Sequence, residues 1–192
     1  MNKYFDTFYD WWKNIDKTIF FIISLLFSLG LFFSLVSTSI IASDKLNTNS
    51  YYFFLKHLTF VILGIIIILI LSFLDQKILI KISVVLFLIT FISLFLVPLI
   101  GVEVKGSKRW LDIGSIPRFQ PIETLKPFFI IVISLIISLE KKNLYLKYLL
   151  SSAVLVPVII LLLSQPDLGQ TLLIISVWLA IIFVSGINLF LF

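Results

Sequence analysis

Two short polar segments carry the residues whose types and spacing could support chemistry. The first, GSKRWLDIGSIPRFQPIETLK at residues 106–126, is flanked by long apolar runs and includes Lys108, Arg109, Arg118, Glu123 and Lys126. Ionisable side chains at membrane depth are costly and commonly mark functional positions. Basic side chains beside the amino end of a helix favour phosphate, and arginine adds bidentate recognition. The segment therefore predicts a site for an anionic head group attached to a lipid tail.

Gln120-Pro121 has the pattern of a helix start, with Pro121 at the first helical position. Glu123 then falls at the third position, where a carboxylate can reach back to free backbone donors and meets the positive end of the helix dipole. Lys126 follows three residues later on the same face. Two interpretations stay open: a structural ion pair that lets helices pack, or a functional site.

The other candidates in this segment have two readings each. Lys105 and Lys108 are either ligands of the anion or ordinary lysines at a membrane edge. Trp110, next to Arg109, either anchors the loop at head-group depth or stacks on a sugar.

The second polar segment is SQPDLGQT at residues 164–171. Gln165-Pro166 repeats the helix-start pattern and predicts Asp167 in the first turn, where the dipole stabilises its charge. Gly169 would allow close approach of another helix. The alternative is a tight turn between two helices with an acidic cap.

The elements that position these segments are membrane helices. Hydrophobic residues make up 60% of the 192 positions and charged residues 13%, and the mean hydropathy is +1.18, far from the composition of soluble domains. Apolar runs of about 20 residues predict an all-α integral membrane protein with about six transmembrane helices. The predicted spans are 18–41, 58–74, 78–100, 122–139, 148–164 and 170–192.

Several classes of site find no support. The chain has no cysteine and one histidine, His57, so no metal site is predicted. A net charge of +5 that is scattered among loops does not indicate nucleic-acid binding. No cofactor can be assigned, although a divalent cation stays open.

The distribution of basic residues in short loops predicts the orientation when the polar segment is set aside. An inner amino end leaves two lysines outside, Lys45 and Lys56, against eight inside: Lys3, Lys13, Lys17, Lys77, Lys81, Lys141, Lys142 and Lys147. We therefore predict one transmembrane domain over 1–192, with a cytoplasmic tail at 1–17, an extracytoplasmic polar loop at 101–121 and a cytoplasmic loop at 140–147.

The combination KGSKRWLDIGSIPRFQPIETLK followed by QPDLGQT resembles the SEDS family (shape, elongation, division and sporulation; FtsW, RodA and SpoVE) of bacterial cell-wall synthesis. Trp11-Trp12 before the first span, Lys126-Pro127 and Trp178 make it most similar to the division-type members of alphaproteobacteria.

The resemblance implies a peptidoglycan glycosyltransferase that polymerises lipid II at the outer face of the cytoplasmic (inner) membrane, at the division septum. Its expected partners are a class B penicillin-binding protein and other divisome membrane proteins. By motif position, the expected substrate-binding residues are Lys105, Lys108, Arg109, Trp110, Gln120, Glu123 and Lys126. Pro121, Pro166, Asp167 and Gly169 fall on motif positions.

No catalytic residue is predicted, because the family's catalytic aspartate belongs to an outer loop between the seventh and eighth of ten helices. We expect this chain to be the amino-terminal half and to be inactive alone. Two other classes stay open: a lipid flippase or transporter whose path is lined by Glu123, Lys126 and Asp167, and a division scaffold without catalytic activity.

Overall fold

The computed structural model describes residues 9, 11–46, 51–104, 106–114, 116–140 and 143–186, without the side chains of 37–46, 116 and 117. Along the chain, one small sheet lies between two groups of helices. The elements are, in chain order, α1 (Lys17–Leu46), α2 (Tyr52–Ser72), α3 (Gln76–Ile100), β1 (Val102–Val104), β2 (Ser107–Ile113), β3 (Ile116–Phe119), α4 (Pro121–Ile137), α5 (Leu144–Ser164) and α6 (Leu168–Val184). The chain divides into two compact units, Met1–Asp75 and Gln76–Phe192.

Each predicted span overlaps a helix, which confirms the all-α membrane class. The helix of the sixth span ends at Val184, and residues 187–192 of that predicted span lie outside the described residues. Four helices, α1, α2, α3 and α5, are long and apolar enough to cross a membrane within the described residues. The described parts of α4 and α6 have 17 residues each, the lower limit of about 17–25 residues for a membrane helix. Two starts differ from the prediction by more than two residues: α2 begins at Tyr52 instead of 58, and α5 begins at Leu144 instead of 148.

The first unit pairs α1 with α2. Asp16 caps the start of α1, because its Oδ1 accepts hydrogen bonds from the backbone N–H groups of Thr18 at 2.8 Å and Ile19 at 3.1 Å. Trp11, which precedes α1, donates from its indole to Ser72 Oγ at 2.9 Å and stacks on Phe73 with ring centroids 4.7 Å apart. These contacts join the chain before α1 to the end of α2.

The second unit is organised around α4. Ile122, Leu125, Phe129 and Ile133 recur at a spacing of three or four residues and are fully buried, as expected for the core-facing stripe of a helix. They belong to one hydrophobic cluster with Leu94 of α3, Leu162 of α5 and Ile174 of α6, among others. Because Glu123 and Lys126 are not members of this stripe, both can face a polar environment at the start of α4.

The polar loop between α3 and α4 forms a small antiparallel sheet in the order β1-β2-β3. Gly106 and Gly114 occupy the two turns with φ of 82° and 61°, values that favour glycine. The sequence predicted the turns but not the strands between them. Leu111 of β2 is 2% exposed, and β2 contacts both α3 and α4. The sheet therefore packs against α3 and α4 close to Arg109.

Candidate functional site

Asp167 is the N-cap of α6. Its Oδ1 accepts from the backbone N–H of Gln170 at 3.4 Å, and its carbonyl oxygen accepts from the hydroxyl of Thr171 at 2.8 Å. The prediction that Asp167 lies in the first turn, with Pro166 as the first helical residue, is wrong, because α6 begins only at Leu168. The backbone N–H of Asp167 donates to the carbonyl of Leu162 at 3.1 Å, so residues 165–167 are used to close α5 before α6 can start.

The second carboxylate oxygen of Asp167 joins two other parts of the fold. Gln120, at the start of α4, donates from Nε2 to Asp167 Oδ2 at 3.0 Å. Arg109 of β2 places Nε 3.7 Å from the same oxygen. The Asp167 side chain is 8% exposed, so water competes little for these partners. We call Arg109, Gln120 and Asp167 the Asp167 cluster.

Arg109 also holds the turn between α5 and α6. Its Nε donates to the carbonyl of Gln165 at 3.2 Å, and its Nη2 donates to the carbonyl of Pro166. The guanidinium has five N–H donors, and its side chain is one third exposed, at 33%. Arg109 therefore connects the sheet to the turn before α6 and keeps donors that these two carbonyls do not use.

A second group of side chains joins α4 to the first turn of α6. Lys126 Nζ lies 2.6 Å from Glu123 Oε2 and donates to Gln170 Oε1 at 3.2 Å. Gln170 Nε2 donates to Glu123 Oε1 at 2.7 Å. We call these three residues the Glu123 triangle. The Gln170 amide is oriented so that its oxygen accepts from Lys126 and its nitrogen donates to Glu123.

The start of α4 explains how both groups are placed. Pro121 is the first residue of α4, as predicted, and Lys126 lies on the face of Glu123. Gln120, the N-cap, makes no side-chain cap, because its amide is directed to Asp167. The predicted contact of Glu123 with free backbone donors is not the one observed, since its oxygens accept from Lys126 and Gln170.

Other predicted site residues lie apart from these contacts. Lys108 is exposed and lies opposite Glu103 in the β1–β2 ladder. As the neighbour of Arg109 on a strand it points to the other face. Trp110, opposite Val102, is partly buried. Lys105 lies outside the described residues.

Gly169 is exposed in the first turn of α6. A Cβ built on it would meet no described atom within 4 Å. Its predicted close approach to another helix is therefore not observed within the described part of the chain.

Sequence reasoning missed two glutamines of the second motif. Gln170 completes the Glu123 triangle, and Gln165, 2% exposed, donates from Nε2 to the carbonyl of Leu94 at 3.3 Å. Both stand in the quoted QPDLGQT. The available signal was their type, because a primary amide next to hydrocarbon is costly unless it is hydrogen-bonded.

The outer turn of the sheet contains a separate ion pair. Arg118 Nε lies 2.7 Å from Asp112 Oδ2. The hydrogen bond from Arg118 is the largest effect and lowers the pKa of the Asp112 carboxyl. Desolvation raises this pKa by less, and the backbone N–H of Gly114 and the charge of Arg118 lower it further. The Arg118 side chain is exposed, so this pair belongs to the β2–β3 turn and not to the site.

Two other features of the described residues concern metal binding and a polar groove elsewhere in the second unit. Among the described residues no three His, Cys, Asp or Glu side chains are grouped so that they could hold a metal ion. A groove of about 360 Å³ lies between the start of α3 and the end of α4, with Gln76, Ser83, Ser134 and Ser138 in its lining and no charged side chain. The groove therefore lies at the opposite ends of α3 and α4 from the sheet.

The family model for FtsW/RodA/SpoVE, described as cell cycle protein, matches residues 16–192. The chain belongs to this family. FtsW/RodA/SpoVE members that resemble it include two proteins named "Probable peptidoglycan glycosyltransferase FtsW". The protein of Coxiella burnetii is 32% identical over 85% of this chain and 45% of its own length. The protein of Idiomarina loihiensis is 28% identical over 92% of this chain and 44% of its own length. The chain thus spans about half the length of these relatives.

Two solved structures share the fold. Rod shape determining protein RodA of Thermus thermophilus superposes with a TM-score of 0.76 at 23% identity, over 92% of this chain and 56% of that one. A chain of a peptidoglycan synthase complex, described as coordinating polymerization and crosslinking, superposes with a TM-score of 0.71 at 25% identity, over 90% of this chain and 48% of that one. The predicted membership of this family is therefore confirmed by the family match, and the solved structures support the fold.

Proposed function

We propose that the full-length FtsW/RodA/SpoVE protein that carries this segment is a peptidoglycan glycosyltransferase that polymerises lipid II. The names of its FtsW relatives support this activity. The observation that carries the proposal is the position of Lys126: its ammonium lies between the starts of α4 and α6, held by Glu123 and Gln170. Two helix amino ends and a cation at one place favour an anionic ligand.

The proposed ligand is the pyrophosphate of lipid II, the undecaprenyl-linked disaccharide pentapeptide. A lysine ammonium has three N–H donors, and in Lys126 two of them point to Glu123 and Gln170. The third is available to a phosphate oxygen, and the Lys126 side chain is 21% exposed. In this proposal Lys126 binds the pyrophosphate and Glu123 orients Lys126.

The other substrate contacts belong to the same proposal. Arg109 offers its unused donors to phosphate, and Gln120, Trp110, Lys108 and Lys105 contact the head group or its sugars. No residue of this segment is given a catalytic role in this proposal.

We also propose a class B penicillin-binding protein and other divisome membrane proteins as partners. Similarity to a chain of a peptidoglycan synthase complex supports the first of these. The multi-pass protein would lie in the bacterial inner membrane at the division septum, with the amino end in the cytoplasm. The distribution of lysines in the short loops supports this orientation.

The test is a polymerisation assay with purified full-length protein, its penicillin-binding partner and lipid II. We expect long glycan strands from wild type, none from Lys126→Ala, and strands of normal length from Lys147→Ala, a lysine in the first turn of α5. Movement of lipid II across vesicles without polymer would instead support the flippase. Full activity of Lys126→Ala would contradict the proposed site. In a separate growth test, normal growth of cells whose protein lacks the charges of both Glu123 and Lys126 would support the scaffold.

A further inference from the structure

We propose that Gln170 is a positioning residue for Lys126. Gln170 fixes the direction of the one ammonium hydrogen of Lys126 that remains available to the pyrophosphate. This inference rests on the proposed function, because it concerns the anion bound by the same lysine. Gln170 stands in the first turn of α6, 44 positions from Lys126. Its role is therefore set by the packing of α6 against α4 and not by local sequence.

The Glu123–Lys126 pair alone would hold Lys126 loosely. The Glu123 side chain is 50% exposed, and an ion pair on one helix face in contact with water contributes little to holding its two side chains in place. A long lysine side chain with such a partner keeps much of its rotamer freedom. A second fixed contact is needed if the ammonium is to present one hydrogen in one direction.

Gln170 supplies that contact with both ends of one amide. Oε1 accepts from Lys126 at 3.2 Å while Nε2 donates to Glu123 at 2.7 Å. A carboxylate at this position would offer no donor to Glu123, and an aliphatic side chain would offer neither group. The amide is therefore the side chain that satisfies both charged partners without adding charge, and it comes from a helix start that Asp167 fixes to Gln120.

The test measures binding of farnesyl pyrophosphate to full-length protein in detergent micelles. Gln170→Leu removes both hydrogen bonds and should weaken binding about three- to tenfold, less than the loss of two buried hydrogen bonds to charged groups, because the site is partly exposed and Gln170 acts only through Lys126. Gln170→Glu keeps the shape but adds a negative charge beside Glu123 and should also weaken binding. Gln76→Leu, the same substitution at the start of α3, serves as the matched control and should bind normally.

A double-mutant cycle separates positioning from a general loss of structure. If Gln170 acts through Lys126, Gln170→Leu with Lys126→Ala should bind no more weakly than Lys126→Ala alone. Multiplied losses in the double variant would overturn the inference, as would wild-type binding by both Gln170 variants while Lys126→Ala binds weakly. Unchanged binding by Lys126→Ala would overturn the proposed pyrophosphate site itself, and with it the role of Gln170.

Discussion

Gln120 and Asp167 lie 47 positions apart, and the Nε2 of the first donates to the Oδ2 of the second at 3.0 Å. Gln120 directly precedes α4, and Asp167 directly precedes α6. This hydrogen bond fixes the starts of the two helices to each other. Because Glu123 and Lys126 lie in the first two turns of α4 and Gln170 in the first turn of α6, the same contact sets the register of the Glu123 triangle.

Asp167→Ala should destabilise the second unit. The change removes the N-cap of α6, which is worth about 1 kcal/mol, and it deprives Gln120 and Arg109 of a buried acceptor. We expect a total loss of about 1–3 kcal/mol, seen as a lower midpoint of thermal unfolding in detergent. Glu140→Ala, at an exposed acidic residue after α4 in the same unit, is the control. Equal midpoints for the two variants would contradict the role given to Asp167.

Ser151→Ala should weaken the packing of α5 against α6 by a smaller amount. The buried Ser151 hydroxyl accepts from the Trp178 indole at 3.2 Å. Hydrogen bonds between membrane helices contribute about 0.6 kcal/mol on average, with a maximum of about 1.7, and we expect a loss in this range from denaturant unfolding. Ser176→Ala is the matched control, because Ser176 is exposed and donates to Leu172 of its own helix. A larger effect at Ser176 would refute the assignment.

The helices could be predicted because apolar runs report directly on burial in a membrane. The strands around Gly106 and Gly114 could not, since β1 and β3 have only three and four residues, too few for a periodic pattern. Pro121 was placed correctly because its start signal is local. Pro166 was placed wrongly because the closing of α5 takes up the same residues. The role of Gln170 depends on a partner on another helix, and local spacing contains no information about that contact.

Arg118→Ala should raise the pKa of Asp112. The arginine holds this pKa below the ordinary value for an aspartate. The ion pair therefore stabilises the turn fully at a pH above the ordinary aspartate pKa, and this stabilisation is lost as the pH falls through the lowered pKa. Titration of labelled aspartate carboxyl carbons by NMR measures the change. Lys108→Ala, which removes a cation from the same strand as Asp112, should leave the titration unchanged. An Asp112 titration that does not respond to loss of Arg118 would show that another group lowers its pKa.

Exchanging the charges of Glu123 and Lys126 separates the two interpretations of this pair. In the double variant Glu123→Lys with Lys126→Glu, an ion pair at the same spacing is retained. The amide of Gln170 can rotate by half a turn so that its oxygen again faces the lysine and its nitrogen the carboxylate. The lysine would then lie nearer the positive end of α4, at a cost of about 0.3–1 kcal/mol, so the protein should still fold.

A purely structural pair would therefore tolerate the exchange, whereas a pyrophosphate site would not, because the ammonium then extends from position 123 and its remaining hydrogen no longer has the position and direction that Lys126 gives it. We expect the double variant, in the full-length protein, to be present in membranes at normal abundance and to fail to support growth of cells depleted of their own copy. The single variants Glu123→Lys and Lys126→Glu control for the loss of the pair itself. Normal growth of the double variant alone would establish Glu123 and Lys126 as a structural ion pair and remove the basis of the proposed site.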